Sequence, residues 1–427
     1  MGAMAMSVAG NMAMHGIAQL GKGQRPALRD LLLTPGNMLR ITDHLAQLRG
    51  AAMKIGQLVS MDTGNFLPPE LAHIMARLRE NADSMPPVQL KRALAAQWPD
   101  DWLASFASFD SRPIAAASIG QVHRAQLIDG RRLAIKIQYP GVANSIDSDV
   151  ENMGVLIKLS GLLPQGFELA PYLEEVRQQL HEETNYVAEA AHLRRFQMLL
   201  KDTPQFIIPR TYDDWSTPSI LAMEYVEGIS IEEVATLAQE VRDQVATHLI
   251  ELTLRELFEF GVMQTDPNFA NYRYQADSQR IVLLDFGATR EIAPNVIHQY
   301  RQLLYAGLAS DDKALMEAAH TIGFLNAEAS PAHAGQILRM MQVIFDTLAA
   351  KEVFEFNDQG IAKQLQADGL ALIADGFIPP PLPIDVLLLH RKFAGIFLIG
   401  ARLSAAVDVI ALLQPYLLGS YLTEQSH

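Results

Sequence analysis

The spacing of hydrophobic positions changes along the chain, and each change marks a change of element. Residues 26–105 carry a helical period. In "ITDHLAQLRGAAMKIGQLVSMD", Ile41, Leu45, Leu48, Ala52, Ile55 and Val59 fall on one stripe. "LPPELAHIMARLRENADSMPP" predicts a second helix, closed by Pro86 and Pro87. From about residue 106 the texture turns strand-like. "QVHRAQLI" and "RRLAIKIQ" flank Asp129-Gly130, a strong two-residue hairpin signal. Residues 141–200 return to helix, "SILAMEYV" (219–226) reads as a strand, and "VRDQVATHLIELTLRELFEFG" as a long helix. "NYRY" and "RIVLLDFG" predict two short strands, and everything after about 293 reads as helix. The predicted order is helices, a small strand-rich lobe, then a mostly helical lobe.

Composition narrows the function classes. The chain has 427 residues, 49% hydrophobic and 19% charged, as expected for two or three globular domains. Its net charge of −14 argues against bulk electrostatic binding of nucleic acid. With no cysteine, disulfides, Cys-zinc sites and thiol nucleophiles are excluded, which fits a reducing compartment. No run of about 18–20 apolar residues predicts a membrane-spanning helix, and "FAGIFLIG" is too short for one. Residues 1–20 contain no Lys, Arg, Asp or Glu, and neither a secretory signal nor a transit peptide is expected. They read either as a frayed terminus or as a helix lying against a membrane or partner.

Candidate chemistry begins at "RPIAAASIGQVHRAQ". Ala115, Ala117, Gly120 and Val122 keep the spacing of a G-x-G-x-x-G-x-V phosphate loop with the first two glycines replaced. The loop Ala115, Ala116, Ala117, Ser118, Ile119, Gly120, Gln121 and Val122 is the candidate phosphate cradle. Its alanines are expected to restrict φ and hold the loop stiff, with Gly120 as the one flexible point. Lys136 lies in the next strand, where the kinase scheme places the lysine that holds the α- and β-phosphates. In "AMEYVEG", Met223 ends a strand, and the carbonyl of Glu224 and the N–H of Val226 could read an adenine edge. "MQTDPNFANYRY" supplies Asp266 and Asn271, and "VLLDFGATRE" supplies Asp285-Phe286-Gly287. Phosphoryl transfer needs oxygen ligands for Mg²⁺ and a carboxylate near the nucleophile. Asp266 fits the second role, and Asn271 and Asp285 the metal.

All pieces in this order predict an α+β, two-lobed protein-kinase-like fold. It would have a small β-rich N-lobe with helical insertions and a helical C-lobe. The expected divisions are 1–105, 106–226 and 227–427. Three departures count against a conventional protein kinase. Gln264 stands where the His of H-R-D would be, Asn268 replaces the usual Lys, and no A-P-E follows Asp-Phe-Gly.

With "AAMKIGQLVSMD" (a K-x-G-Q motif), "AAASIGQVHRA", "AIKIQYPGV", "EETNYVAEA", "LFEFGVMQTDPNFANYRY" and "LLDFGATRE", the chain resembles the UbiB family of atypical kinase-like proteins, most closely its coenzyme-Q branch. The resemblance spans roughly residues 26–415. It implies that Lys54 and Gln57 belong to an N-terminal helical extension folded over the active site. It implies that Glu189 partners Lys136, and that Glu183 and position 185 form an E-x-D motif, with Asn here at 185. In one continuous helix Glu182, Asn185 and Glu189 would share a face and Glu183 would not, so either the helix is irregular or Glu182 takes part. Further implications are ATP/ADP and Mg²⁺ as cofactors, slow ATP hydrolysis, and support of ubiquinone biosynthesis. Isoprenoid-quinone precursors, a lipid membrane surface and quinone-biosynthesis proteins are the expected partners, nucleic acid is not, and the expected location is cytoplasmic and peripheral to a membrane. The alternatives are a nucleotide-gated, non-catalytic scaffold or lipid-binding protein, and a protein kinase.

Overall fold

A computed structural model describes residues 85–418, apart from 118, 160–168, 327, 351, 359 and 381. Lys54, Gln57, Ser118 and the K-x-G-Q helix therefore lie outside the described residues. The chain divides into two compact units. One takes the described residues up to Ala190 together with Arg210–Tyr225; the other takes Ala191–Pro209 and everything from Val226.

The first unit is built on an antiparallel sheet. Its elements are α1 (Pro87–Ala95), β1 (Phe106–Phe109), β2 (Ala115–Ala116), β3 (Gly120–Leu127), β4 (Arg132–Gln138), α2 (Val142–Leu159), α3 (Ala170–Glu183) and the start of α4 (Tyr186–Leu199). Pro87 opens α1 at its first turn, where a missing N–H costs nothing. Skipping β5 (Phe206–Ile207), which belongs to the second unit, the sheet is completed by β6 (Ile220–Glu224), in the order β1-β3-β4-β6 with β2 on β3. The hairpin predicted at Asp129-Gly130 is present, with Gly130 at φ 90° and its N–H on the Leu127 carbonyl at 3.0 Å.

Alternation along β4 divides its side chains between two faces. Leu133, Ile135 and Ile137 point into a core with Ala125, Leu127, Ile220 and Ala222. Residues 85–106 close that core: Leu90 and Leu94 of α1, then Trp98, Trp102 and Phe106. The rings meet edge-on and stacked, with Trp98–Trp102 centroids 5.1 Å apart and Phe106–Trp215 4.7 Å. Lys136 and Gln138 take the opposite face.

The second unit begins inside α4 and adds β5. α5 (Ile231–Val234) starts with a Ser230/Glu233 capping box. α6 (Gln239–Arg255) is prolonged by a π-helical turn, Glu256–Phe260, that stops at left-handed Gly261 (φ 59°). Short strands follow: β7 (Val262–Gln264), β8 (Tyr272–Gln275), β9 (Arg280–Leu283) and β10 (Thr289–Glu291). β10 pairs with β7, and β9 sits between β5 and β8. The rest is helical, with α7 (Pro294–Leu308), α8 (Asp312–Ile322), α9 (Pro331–Ala350), α10 (Gly360–Ala374), α11 (Ile384–Leu403) and α12 (Val409–Leu418). The reading of this region as helix alone misses one two-stranded pair, β11 (Phe354–Glu355) with β12 (Ala406–Val407). Two residues are too few to leave a periodic signal.

The alanine-rich loop corrects one expectation. Ala115 and Ala116 are strand residues paired with Val122 and Gln121, and the Ala117 N–H bonds the Gly120 carbonyl at 2.8 Å. None of the three alanines has positive φ, so the backbone accepts a Cβ there. Gly120 is not a flexible point. It is the first residue of β3 with ordinary φ, and a Cβ on it would run into the Ile137 carbonyl oxygen. Glycine is needed for close strand approach, not for conformational freedom. Gly120→Ala is therefore expected to destabilise the first unit by about 1–3 kcal/mol, as overpacking does. A thermal midpoint equal to that of the parent chain would show that the two strands can separate without cost.

Candidate functional site

Each unit carries part of the candidate chemistry. In the first, Lys136 reaches the carboxylate of Glu189 with Nζ–Oε1 2.9 Å and Nζ–Oε2 3.0 Å. Lys136 is 7% exposed and Glu189 2%. The Tyr186 ring lies 5.2 Å from the ammonium, adding a cation–π contact. The structure thus brings together the two residues that the resemblance pairs.

The break between α3 and α4 aims Glu189. α3 ends at Glu183, and the Asn185 side-chain oxygen caps α4 by accepting from the Ala188 N–H at 3.0 Å. The Gln138 side chain, one turn of pleat beyond Lys136, donates to the Thr184 carbonyl at 2.6 Å and ties this break to β4. The helix is therefore irregular where periodicity left two choices. Asn185 spends its oxygen as a cap, and Glu183 is the last residue of α3 rather than a neighbour of Glu189 on one helical face.

The cradle residues divide. Ala115 and Ala116 are exposed and Ile119 is buried. The Gln121 side chain turns inward, accepting from the Met85 N–H at 2.7 Å and donating to His123 Nε2 at 2.7 Å. Only its backbone can serve a ligand; Val122 pairs across the sheet with Lys136. Met223 is buried opposite Ala134, and Glu224 ends β6 opposite Leu133. Val226 opens the second unit.

In the second unit the loop from Gln264 to Asn271 is tied down at almost every residue. The Thr265 N–H and hydroxyl both donate to the Ala288 carbonyl, at 2.9 and 2.8 Å. The Asp266 carbonyl accepts from the side chains of Gln264 at 2.8 Å and Asn271 at 2.9 Å. Gln264, at the position of the His in H-R-D, thus props up the Asp266 backbone. Asn268 accepts from the Ala270 N–H at 3.1 Å, capping the short turn Phe269–Asn271.

Asp285 follows β9. Its Oδ1 accepts from the Gly287 N–H at 2.9 Å, while the Leu284 N–H bonds the Asn271 carbonyl at 3.0 Å. Asn271 and Asp285 therefore sit at the ends of two hydrogen-bonded segments. Asn271, donating through its amide nitrogen, keeps an amide oxygen for a cation. Among the described residues no group of three or more His, Asp or Glu forms a metal cage. One carboxylate and one amide oxygen suit a hard cation that takes its other ligands from phosphates and water. Phe286 is buried against Phe196, with centroids 4.7 Å apart.

Sequence reasoning missed the partners from α11. Arg391 Nη2 meets Asp266 Oδ1 at 2.6 Å, with Arg391 3% exposed. Lys392 Nζ lies 3.2 Å from Glu256, 3.3 Å from the Tyr272 hydroxyl and 3.4 Å from Gln264 Oε1. Burial opposes charge at both ends of the Lys392–Glu256 pair and pushes the Glu256 carboxyl above the usual carboxylate range. The attraction of Glu256 and Tyr272 still holds the Lys392 ammonium above its ordinary value. His390 beside them is pushed down to about 4 by burial and stacks as a neutral ring on Phe324. The available signal was "HRK" inside an apolar helix, since buried cations need partners.

Lys136→Met should cost about 3–5 kcal/mol, because Glu189 would keep its burial and lose the ammonium. In Lys136→Met/Glu189→Leu the combined loss should fall well short of the sum of the single losses. Additive losses in chemical denaturation would show that the pair does not act as a unit.

Comparison with known proteins places this geometry. A family model described as "ABC1 atypical kinase-like domain" matches residues 77–319. The chain is 37% identical over 410 residues to a Saccharomyces cerevisiae protein named "Atypical kinase COQ8, mitochondrial", covering 95% of this chain and 81% of that protein. It is 38% identical over 375 residues to "Atypical kinase COQ8B, mitochondrial" of Rattus norvegicus, covering 88% and 71%. Among solved structures, that of an Rv3197–erythromycin complex from Mycobacterium tuberculosis superposes with a TM-score of 0.62 at 27% identity, covering 87% of this chain and 93% of that one. With its kinase-like α+β fold, its strand lysine on a helix glutamate and its Asp-Phe-Gly segment, the chain belongs to the ABC1 atypical kinase-like family.

Proposed function

We propose that this chain is a Mg-ATP-binding atypical kinase or ATPase that supports ubiquinone biosynthesis at a membrane surface and does not phosphorylate proteins in the conventional way. The observation that carries the reading is the buried Lys136–Glu189 pair, with Nζ–Oε1 at 2.9 Å. A buried lysine aimed by a carboxylate is what fixed positioning of phosphates requires. Lys136 would hold the α- and β-phosphates and Glu189 would hold Lys136. The backbone of residues 115–122 would line the phosphates, and Glu224 and Val226 would read adenine beside Met223. Asp285 and Asn271 would hold Mg²⁺, which would supply positive charge to the phosphates. Asp266 would orient the attacking hydroxyl or water.

Lys54 and Gln57, which lie outside the described residues, belong in this proposal to an extension that keeps peptide substrates out, with Glu183 as a partner for Lys54. Asn268 at the usual lysine position supports a slow reaction, because its side chain is a turn cap and not a cation. The relatives are named atypical kinases, which favours this reading over a non-catalytic scaffold. Membrane association is proposed as peripheral. Among the described residues no helix is long and apolar enough to cross a membrane. The substrate is proposed to be an isoprenoid-quinone precursor or another lipid, met together with other quinone-biosynthesis proteins.

The direct test is Mg-ATP turnover by the pure chain, with and without liposomes and soluble quinone-precursor mimics. Turnover should rise with lipid or mimic. No turnover under any condition, with nucleotide binding intact, would favour the nucleotide-gated scaffold. Asp285→Asn should abolish the metal-dependent part of the nucleotide-induced thermal shift, which for a ligand at a hundred times Kd is worth about 2.7 kcal/mol. A full Mg²⁺-dependent shift in that variant would remove Asp285 from the metal site.

A further inference from the structure

The loop that carries Asp266 has no cation of its own, yet it is not without one. Position 268, two residues after Asp266, is Asn, and its side chain is turned back onto the Ala270 N–H. The positive charge beside Asp266 comes instead from Arg391, on a helix that is distant in sequence. We propose that Arg391 is the positioning residue for Asp266, fixing its carboxylate through a buried ion pair from a distant helix. The proposal rests on the reading of Asp266 given above.

Three observations converge on it. First, the contact is short and buried, with Arg391 Nη2 to Asp266 Oδ1 at 2.6 Å and side-chain exposures of 3% and 15%. A guanidinium does not lose its proton in a protein, so this charge is permanent. Second, α11 is pinned against the loop independently of Arg391. Gly395 lies one turn farther along, on the same face, and a Cβ there would collide with the Pro267 ring. Third, the neighbouring Lys392 is anchored on Glu256, Tyr272 and Gln264, and Gln264 itself donates to the Asp266 carbonyl. The helix thus holds Asp266 at its backbone through Lys392 and Gln264, and at its carboxylate through Arg391. A side chain that only filled space would need neither a buried positive charge nor this alignment.

The expected consequence is specific to the chemical step. Arg391 does not belong to the residues proposed to hold nucleotide, so Arg391→Gln should leave affinity for ADP within about twofold while lowering kcat by roughly a hundredfold, the scale of a misplaced reacting group. Arg391→Lys keeps the charge on a shorter side chain and should recover part of the loss. In an Asp266→Asn background, Arg391→Gln should cost nothing further, because its effect runs through that carboxylate. Amide exchange at residues 265–271 should quicken in Arg391→Gln, a readout that needs no activity. Asp266→Ala, which removes the other partner of the ion pair, should quicken the same amides and serves if Arg391→Gln does not fold. Unchanged exchange in these variants overturns the proposal, as does an equal fall in kcat when Asp266 is already Asn. If the parent chain shows no turnover at all, the proposed function fails instead, and the exchange of the loop alone decides the role of Arg391.

Discussion

A lysine ammonium taken out of water must meet a carboxylate or give up its charge, and each unit is organised around one such meeting. In the first unit it is Lys136 with Glu189, and in the second Lys392 with Glu256. The geometry around each pair follows from that need. Lys136 can be buried only because β4 alternates, sending Leu133, Ile135 and Ile137 to the aromatic core and leaving the other face for a polar partner. Glu189 can reach it only because the chain breaks at Thr184-Asn185, where Gln138 and the Asn185 cap hold the break in place. Net stability from such pairs is small or negative beside an apolar alternative. Their presence in both units is better accounted for by what they position than by what they stabilise.

How much of this was legible in the sequence depended on distance along the chain. The hairpin at Asp129-Gly130 was readable because its signal is local, and the strand around Lys136 because alternation is visible within seven residues. The order of Lys136, Asp266, Asn271 and Asp285 was readable because kinase-like chemistry fixes it, whatever lies between. The partners of Asp266 and Gln264 were not readable. Arg391 and Lys392 are more than a hundred positions away, in a segment that reads simply as an apolar helix interrupted by "HRK". Glu256 was hidden for a different reason: a π-helical turn begins there, and the 3.6-residue period used to assign faces no longer applies.

The alanine-rich loop shows the limit of reading residue types without backbone angles. Glycine replaced by alanine suggested a stiffened loop with one remaining soft point. Instead, the first part of the loop is a short strand, where alanine is at ease, and the retained glycine answers a steric demand from Ile137 across the sheet. A glycine can be required for φ or for space, and spacing within a motif does not distinguish the two.

The substitutions within the catalytic-loop pattern belong together when taken with α11. Gln264 must donate to the Asp266 carbonyl and at the same time face the Lys392 ammonium with an acceptor. A carboxamide presents a donor and an acceptor at any pH. An imidazole presents both only while neutral. The amide therefore makes the support of Asp266 insensitive to protonation, and it lets Lys392 tie the loop to Glu256. Once Lys392 anchors the helix at that point, the preceding residue faces another direction on the same turn, and Arg391 reaches the carboxylate from there. With Asn at 268 and Gln at 264, the cation beside Asp266 comes from Arg391, and its backbone prop is Gln264, itself held by Lys392. An account of this loop that stops at its own residues leaves out the groups that hold it.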